Sequence, residues 1–254
     1  MKSWLKHPLR ATGRLIWLGA ELMSAALGFA GKYLLFPENR SLAARASWLQ
    51  NTCRRVLRVF HVSSETHGPI PTQGLLVCNH LSYLDILVLA ACTPAVFVGK
   101  REIKYWPVFG WFACMAGTLF IHRESRTHVG EIAWEMQTIL EGGALVVLFP
   151  EGTSSDGQAV LPFKSSLLEP AARLNHPVTA ASIQYELADG DVRNEVCYWG
   201  DMWLVPHGIN LLGKQTIHAS LHFAPPRRCQ GTHRKELAKQ LHSEVLKLHT
   251  SGPP

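Results

Sequence analysis

A histidine and an aspartate lie five residues apart at the point where a short apolar run ends. The run is Leu75–Cys78, and the segment Asn79–Asp85 follows it directly. A neutral imidazole can accept a proton from a hydroxyl while a carboxylate holds its other ring nitrogen, which makes the hydroxyl a better nucleophile. His80 and Asp85 are therefore candidates for a general base and the acid that orients it.

The spacing of this pair also predicts its geometry. Five positions on a regular helix turn about 140°, so the two side chains would face apart. They meet only if His80 lies in a strand-to-helix turn and Asp85 lies in the first helical turn. Ser82-x-x-Asp85 also matches a helix capping box, in which Asp85 accepts a backbone amide and His80 is an ordinary loop residue. Both interpretations stay open at this stage.

The elements that must position this pair follow from the hydrophobic pattern after residue 70. The helical spacing of Val129 to Leu140 predicts a helix that ends at Gly142-Gly143, and a last helix is predicted from Lys235 to His249. An α/β domain with a mostly buried mixed sheet is the predicted fold. Seven apolar runs are predicted as its strands: Leu75–Asn79, Ala95–Gly99, Thr118–His122, Ala144–Phe149, Val178–Gln184, Val196–Trp199 and Ile217–Phe223.

Two N-terminal helices are predicted ahead of this domain. The longest apolar stretch, Leu15–Phe36, contains Glu21 and Lys32, and a bilayer crossing needs about 20 apolar residues. A helix lying in the membrane interface is therefore favoured over a crossing. Apolar residues at helical spacing across 42–60 predict a second helix, with Arg45, Arg55 and Arg58 clustered on another face. Docking on a membrane and packing on the domain are equally compatible with that pattern.

Charge is concentrated at the N-terminal end of the chain. The formal net charge is +6, but residues 1–60 alone carry +8, which leaves −2 for residues 61–254. A basic segment rich in large apolar residues suits an anionic membrane surface. Nucleic acid is a less favoured partner because the charges alternate with tryptophan and leucine. We therefore divide the chain into membrane-associating helices at 1–60 and a catalytic domain at 61–254.

The six cysteines show no close pairs and no metal-ligand spacing, which is typical of a reducing compartment and indicates no metal site. A serine hydrolase is also disfavoured. Gly152-x-Ser154-x-x-Gly157 is one residue too long for the Gly-x-Ser-x-Gly nucleophile elbow.

Two further segments end predicted strands with residues that could bind a ligand. The segment 117–123 delivers Arg123, which can bind a phosphate or carboxylate through two parallel hydrogen bonds, or can form a surface ion pair. Lys100 follows the preceding strand, and ligands of open α/β sheets favour such strand ends. After the strand that ends near Phe149, Gly152 either lets the backbone approach a ligand or simply makes a turn.

Taken together and in order, these segments resemble the glycerolipid acyltransferase family, which includes bacterial 1-acylglycerol-3-phosphate acyltransferases. Asn79-His80-x4-Asp85 is similar to the first family block and 117–123 to the second. Phe149-Pro150-Glu151-Gly152-Thr153 is similar to the third, and Pro177 with the strand after it to the fourth. The resemblance implies a single acyltransferase domain in which His80 is the general base and Asp85 orients it.

The resemblance also implies a set of substrate-binding residues. Lys100 and Arg123 would bind the phosphate or headgroup of the acceptor, and residues 151–153 would position its hydroxyl. The full implied set is Asn79, Lys100, Arg123, Phe149, Glu151, Gly152 and Thr153.

The implied reaction is direct acyl transfer at a membrane. A lysolipid hydroxyl attacks the thioester carbonyl of acyl-CoA or acyl-ACP (acyl carrier protein), and no cofactor or covalent enzyme intermediate is needed. We expect the enzyme at the cytoplasmic face of the cell membrane.

Lysophosphatidic acid is the expected acceptor. The family often has an arginine where this chain has Ser154, and the run from Gly152 to Ser166 is similar to the branch that acylates lyso-ornithine lipid, which is the alternative. A non-catalytic lipid-binding protein is the alternative from another class. The retention of His80, Asp85, Arg123 and Glu151 argues against it, because a lipid clamp needs no base.

Overall fold

A mixed sheet forms the centre of the protein in a computed structural model, which describes residues 7–122, 126–173, 176–229 and 231–250. The strands run in the order β1-β7-β6-β2-β5-β3-β4, with β8 beside β6. Neighbours are parallel except that β6 is antiparallel to β7 and β8. The strands of the described residues are β1 Val62–His67, β2 Gly74–Cys78, β3 Val96–Lys100, β4 Leu119–Ile121, β5 Leu145–Leu148, β6 Pro177–Leu187, β7 Ile217–Phe223 and β8 Arg227–Arg228.

Helices cover both faces of the sheet. The described α-helices are α1 Pro8–Leu35, α2 Leu42–Phe60, α3 Leu84–Cys92, α4 Phe109–Ala116, α5 Arg126–Glu141, α6 Glu169–Arg173, α7 Val192–Glu195, α8 Leu204–Gly213 and α9 Arg234–Thr250. Short 3₁₀ turns lie at Pro37–Arg40, Arg101–Tyr105 and Ser166–Leu168.

The core consists of two apolar clusters separated by the sheet. Side chains alternate along β2, so Leu76 packs with α2, α3 and α8 on one face, while Leu75 packs with α5 and α9 on the other. Every residue of β2 and β5 is buried. The predicted α/β fold with a mixed sheet is therefore confirmed.

One of the seven predicted strands is wrong. Val196–Trp199 forms no ladder and instead follows α7, where the Tyr198 amide donates to the Leu81 carbonyl at 2.8 Å. Val196 and Cys197 are buried because this segment covers the loop after His80. Strand β1 was not predicted because its side chains are mostly polar and exposed.

The second N-terminal helix is confirmed, and it packs on the domain. The Ser41 hydroxyl caps α2 by accepting the Ala44 amide at 3.2 Å. Apolar side chains of α2, including Cys53 and Val56, belong to the same core cluster as α3 and α8. The division after residue 60 therefore falls at the end of a helix whose apolar face belongs to the following domain.

Helix α1 begins at Pro8, where the proline lacks only an amide that the first helical turn leaves unpaired. Its arginines Arg10 and Arg14 donate to carbonyls around the end of α8. In the part of the chain that the structure describes, no helix has the length and apolar character needed to cross a membrane.

Most arginines of the first two helices have partners within the molecule. Arg55 forms an ion pair with Glu21 of α1 at 3.3 Å. The last carbonyls of a helix have no partner within it, so a guanidinium satisfies them and complements the helix dipole. Four arginines of the described residues of α1 and α2 do this: Arg10 and Arg14 at residues 212–214 at the end of α8, Arg45 at Cys114 and Met115 of α4, and Arg54 at Ala91 of α3.

Candidate active site

The predicted contact between His80 and Asp85 is present. His80 lies in the loop after β2, Asp85 lies in the first turn of α3, and His80 Nδ1 is 2.7 Å from Asp85 Oδ2. The structure therefore has the strand-to-helix turn that the five-residue spacing requires.

Asp85 is fully buried, and every bond it accepts fixes its orientation. Oδ2 also accepts the amides of Leu81 at 2.6 Å and Ser82 at 3.0 Å, and Oδ1 accepts the Tyr185 hydroxyl at 2.7 Å. Half of the alternative capping box thus forms, while the buried Ser82 hydroxyl has no partner. The two interpretations are therefore compatible, because one carboxylate accepts the Ser82 amide and also contacts His80.

Tyr185 is a site residue that the sequence did not reveal. Burial, followed by the nearby Asp85 carboxylate, raises the pKa of Tyr185 far above its usual value, so the phenol remains a neutral donor. Tyr185 lies on β6, 100 residues after Asp85. Tyr185 lies two residues after buried Ile183, so both side chains are on the same core-facing side of the strand. Only the pairing of β2 with β6 brings Tyr185 to α3.

The bond to Asp85 defines which nitrogen of His80 can act as a base. Because a buried carboxylate accepts from Nδ1–H, the lone pair of the neutral ring is at Nε2. The imidazole stacks on the Phe149 ring, with centroids 4.2 Å apart and planes 17° apart. His80 is therefore held on two sides in one orientation.

Two residues expected to bind substrate instead hold the loop that carries His80. Asn79 exchanges two hydrogen bonds with the backbone of Ile183, at 2.8 and 3.0 Å. Glu151 accepts the His80 amide at 2.9 Å and the Leu161 amide at 3.2 Å. Neither side chain lines the cavity described below. Both contact the backbone behind the cavity wall.

Burial raises the pKa of Glu151 to about 7, because only 3% of the residue is exposed. The folded state therefore keeps a proton that the unfolded state releases near pH 4.5. The resulting stabilisation is complete below pH 4.5 and is lost as the pH rises through 7, for a total of about 3 kcal/mol. The variant Glu151→Gln lacks this dependence.

We expect the unfolding free energy of Glu151→Gln, relative to the wild type, to increase between pH 5 and pH 8. Denaturant unfolding at both pH values measures this difference. Glu131→Gln, an exposed site on α5, is the matched control and should track the wild type. Parallel curves for Glu151→Gln and the wild type would contradict the protonated buried acid.

A cavity of about 730 Å³ opens beside His80. Lys100 and His122 line it from the ends of two strands, and Lys164 lines it from the loop before α6. Several residues of the implied substrate-binding set also line it, namely Lys100, Phe149, Gly152 and Thr153. Arg123, the predicted phosphate ligand, lies outside the described residues.

The third block forms a tight turn at the cavity wall. The Gly152 amide donates to the Phe149 carbonyl at 3.1 Å, and Gly152 has a φ of 80°, a backbone conformation that favours glycine. The turn therefore leaves the backbone at Gly152 able to approach a ligand. Next to it, the Ser154 hydroxyl is hydrogen-bonded to the Tyr198 carbonyl and not to His80.

Tyr83 forms another wall of the cavity, and a buried histidine fixes its hydroxyl. His207 Nε2 donates to the Cys197 carbonyl at 3.1 Å, so His207 Nδ1 accepts the Tyr83 hydroxyl at 3.0 Å. Burial lowers the pKa of His207, which keeps the ring neutral and preserves this tautomer. No sequence pattern predicts this pair, because 124 residues separate its members.

The fold is thus an α/β domain with a mixed sheet in which His80, bonded to buried Asp85, lines a cavity. Comparisons with known proteins give its class. The acyltransferase family profile matches residues 60–184. The lyso-ornithine lipid O-acyltransferase of Rhizobium meliloti (strain 1021) is 32% identical over 217 residues, which are 79% of this chain and 74% of that protein. The enzyme of the same name from Brucella abortus (strain 2308) is 35% identical over 78% of this chain and 80% of its own length.

Other similarities agree with this assignment. The 1-acyl-sn-glycerol-3-phosphate acyltransferase of Neisseria meningitidis serogroup B is 36% identical over 58% of this chain and 62% of that protein. The crystal structure of the 1-acyl-sn-glycerophosphate acyltransferase PlsC from Thermotoga maritima has the same fold. Its TM-score is 0.66 at 20% identity, over 95% of this chain and 97% of that one. The chain belongs to the acyltransferase family and is an O-acyltransferase by class.

Proposed function

We propose that this enzyme transfers a fatty acyl group from a thioester to the free hydroxyl of a lysolipid, with His80 as the general base. The observation that carries this proposal is the bond from His80 to buried Asp85 at the wall of the cavity, which assigns the basic lone pair to Nε2. The names of the relatives support a lysolipid acceptor.

The proposed reaction has two proton transfers. The acceptor hydroxyl donates its proton to His80 Nε2 as its oxygen attacks the thioester carbonyl, whose electron pair moves onto the carbonyl oxygen. The resulting oxyanion collapses and expels the thiolate, which takes the proton back from the imidazolium. Asp85 stabilises that imidazolium, and Lys100 and Lys164 at the cavity wall favour the developing negative charge.

Direct transfer is favoured over an acyl-enzyme intermediate. Ser154 lines the cavity, but its proton is engaged by the Tyr198 carbonyl, so His80 does not activate it. An imidazole at the cavity wall that does not bond the Ser154 hydroxyl fits an incoming hydroxyl from the acceptor.

We propose lyso-ornithine lipid as the acceptor. Its headgroup carries an ammonium and a carboxylate, and the cavity wall carries Glu102 as well as Lys100 and Lys164. Ser154 stands where a phosphate-binding arginine is often found in the family. Two relatives that match over 74% and 80% of their own length carry this activity in their names. Lysophosphatidic acid is the second candidate, supported by the two lysines and by the Neisseria relative.

The test offers the purified enzyme both acceptors in detergent, with acyl-CoA and acyl-ACP as separate donors, and follows thiol release and the acylated product. We expect kcat/KM for lyso-ornithine lipid to exceed that for lysophosphatidic acid by about tenfold or more, as one well-placed charge pair allows. Glu102→Gln should remove most of this preference. A preference for lysophosphatidic acid would overturn the acceptor assignment, and binding without turnover of either lipid would favour the non-catalytic alternative.

We also propose that the enzyme works at a membrane surface, at the cytoplasmic face, where its six free cysteines would stay reduced. An exposed apolar stripe on α1 supports this location. Positions seven and four apart fall on one helix face, and this face carries Leu9, Ile16, Met23, Leu27 and Leu34, all exposed. Since the arginines of α1 bind carbonyls near α8, apolar burial rather than charge should dominate the binding.

We expect the double change Ile16→Ser and Leu27→Ser to lower vesicle binding about 100-fold, because two large apolar side chains lose their place in the bilayer. Co-sedimentation with lipid vesicles measures this. Raising the salt from low to high concentration should change wild-type binding little, since screening acts on charges.

The matched control is Leu246→Ser, a partly exposed leucine on α9 in the opposite layer, which should bind as the wild type does. Point changes are preferable to deleting residues 1–60, because the deletion would remove the core face of α2. Salt-sensitive binding that the α1 changes do not affect would contradict this proposal.

A further inference from the structure

A strained turn beside the cavity holds apolar side chains in solvent. Val108 has φ 65° and ψ −59°, and the Phe109 amide donates to the Pro107 carbonyl at 2.7 Å, which makes a γ-turn centred on a β-branched residue. This backbone conformation is rare for valine. Gly110 allows the backbone after the turn to pack closely against Lys104. A side chain at position 110 would lie 2.2 Å from the Lys104 carbonyl oxygen.

The turn leaves apolar surface in solvent. Tyr105, Val108, Phe109 and Trp111 are all exposed, and 69% of Trp111 is in contact with solvent. A strained conformation that keeps apolar side chains exposed points to a role for the surface it presents.

This turn lies at the mouth of the cavity. Trp106, directly before it, lines the cavity, and the Phe109 ring lies 6.4 Å from that of Tyr83, another lining residue. In a second segment Trp199 lines the cavity, and Trp203 four residues later is 80% exposed. Two segments that line the cavity are therefore followed by exposed aromatic residues.

We propose that Tyr105, Val108, Phe109 and Trp111, together with Trp203, form a rim that inserts into the lipid bilayer, so that the acceptor passes from the membrane directly into the cavity. Tryptophan and tyrosine prefer the interface between lipid tails and headgroups. Arg101 and Lys104 of the neighbouring 3₁₀ turn are exposed and suit anionic headgroups. The occupant of the rim is thus a bilayer, and the inference rests on the proposed lysolipid acceptor.

The helix that carries Trp111 packs beside the N-terminal helices. Trp48 of α2 stacks on Phe112 of α4 at 5.6 Å and contacts Phe29 of α1 at 4.9 Å. This chain of rings connects the helix with the exposed stripe to the helix that carries Trp111. The rim therefore adjoins the helices proposed to contact the membrane.

The test compares Trp111→Ser with Trp134→Ser. Trp134 is a matched control because it is equally exposed, at 68%, but lies on α5 in the opposite layer. We expect Trp111→Ser to lower kcat/KM about tenfold for acceptor embedded in vesicles and to leave turnover of acceptor in detergent micelles unchanged. Trp134→Ser should match the wild type in both. An equal loss of kcat/KM with vesicles and with micelles, or no loss with either, would contradict the insertion of the rim into the bilayer.

A second readout needs no turnover and so separates this inference from the proposed reaction. Brominated phosphatidylglycerol vesicles quench tryptophans that enter the bilayer, and the quenched fraction should fall in Trp111→Ser but not in Trp134→Ser. Unchanged quenching in Trp111→Ser would overturn the rim even if the enzyme acylates lysolipids. The wild type could instead self-associate without any quenching, and Trp111→Ser could abolish that association. This result would assign the surface to a second copy of the chain and overturn the proposal.

Discussion

Replacing His80 with alanine is expected to lower kcat about 1,000-fold while the protein stays folded, because a positioned general base contributes roughly 10²–10⁴-fold. The loss falls on kcat because proton removal occurs in the transition state. The fold survives because the side chain is at the cavity wall, and its backbone bonds to Glu151 and Ser155 do not involve the ring. Loss of the stacking on Phe149 costs only about 1 kcal/mol.

The measurement is thiol release from an acyl thioester, with and without acceptor, alongside thermal unfolding. His67→Ala is the matched control, since His67 lies on the exposed edge strand β1 and should retain full activity. If His80→Ala keeps more than about a tenth of the wild-type rate with an unchanged fold, another group must activate the hydroxyl.

The sequence was sufficient where local spacing determines structure. The five-residue interval between His80 and Asp85 permits one geometry for contact, and the structure has that geometry. The bounds of α2 and β7 also follow from helical and strand periodicity within each segment. Each of these features depends on neighbours along the chain.

Side chains that act across the fold could not be assigned in the same way. Tyr185 and His207 each reach the site through a partner more than 90 residues away. The family resemblance implies that Glu151 positions the acceptor, yet its carboxylate accepts the amide of His80. A motif identifies such residues, but only strand pairing determines which way they face.

The N-terminal arginines show the same limit for charge. Their number predicts an anionic partner, but the ends of neighbouring helices offer unpaired carbonyls that bind guanidinium groups equally well. Arg10 and Arg45 have such partners 203 and 69–70 residues away. Charge counted along a sequence therefore overstates the charge that remains for a membrane, and the exposed apolar stripe of α1 becomes the stronger feature.

The second large effect is expected from Asp85→Asn, which keeps the shape of the side chain and removes its charge. The amide oxygen can still accept from His80, Leu81 and Ser82, while the Tyr185 hydroxyl rotates to accept from the new amide group. The fold should hold, but the imidazolium formed during the reaction loses its counter-charge. We expect kcat to fall roughly 10²–10³-fold.

The acceptor KM should change little in Asp85→Asn, because Asp85 is fully buried and does not itself line the cavity. Tyr185→Phe is the informative partner variant: it keeps the charge and removes one donor to Asp85, so its kcat should fall only a few-fold. Steady-state kinetics of both variants, at a pH where both are folded, separate orientation from charge. Equal losses of kcat would mean that Asp85 acts through loop geometry alone, whereas a large loss in Asp85→Asn with little in Tyr185→Phe identifies its charge as the catalytic contribution.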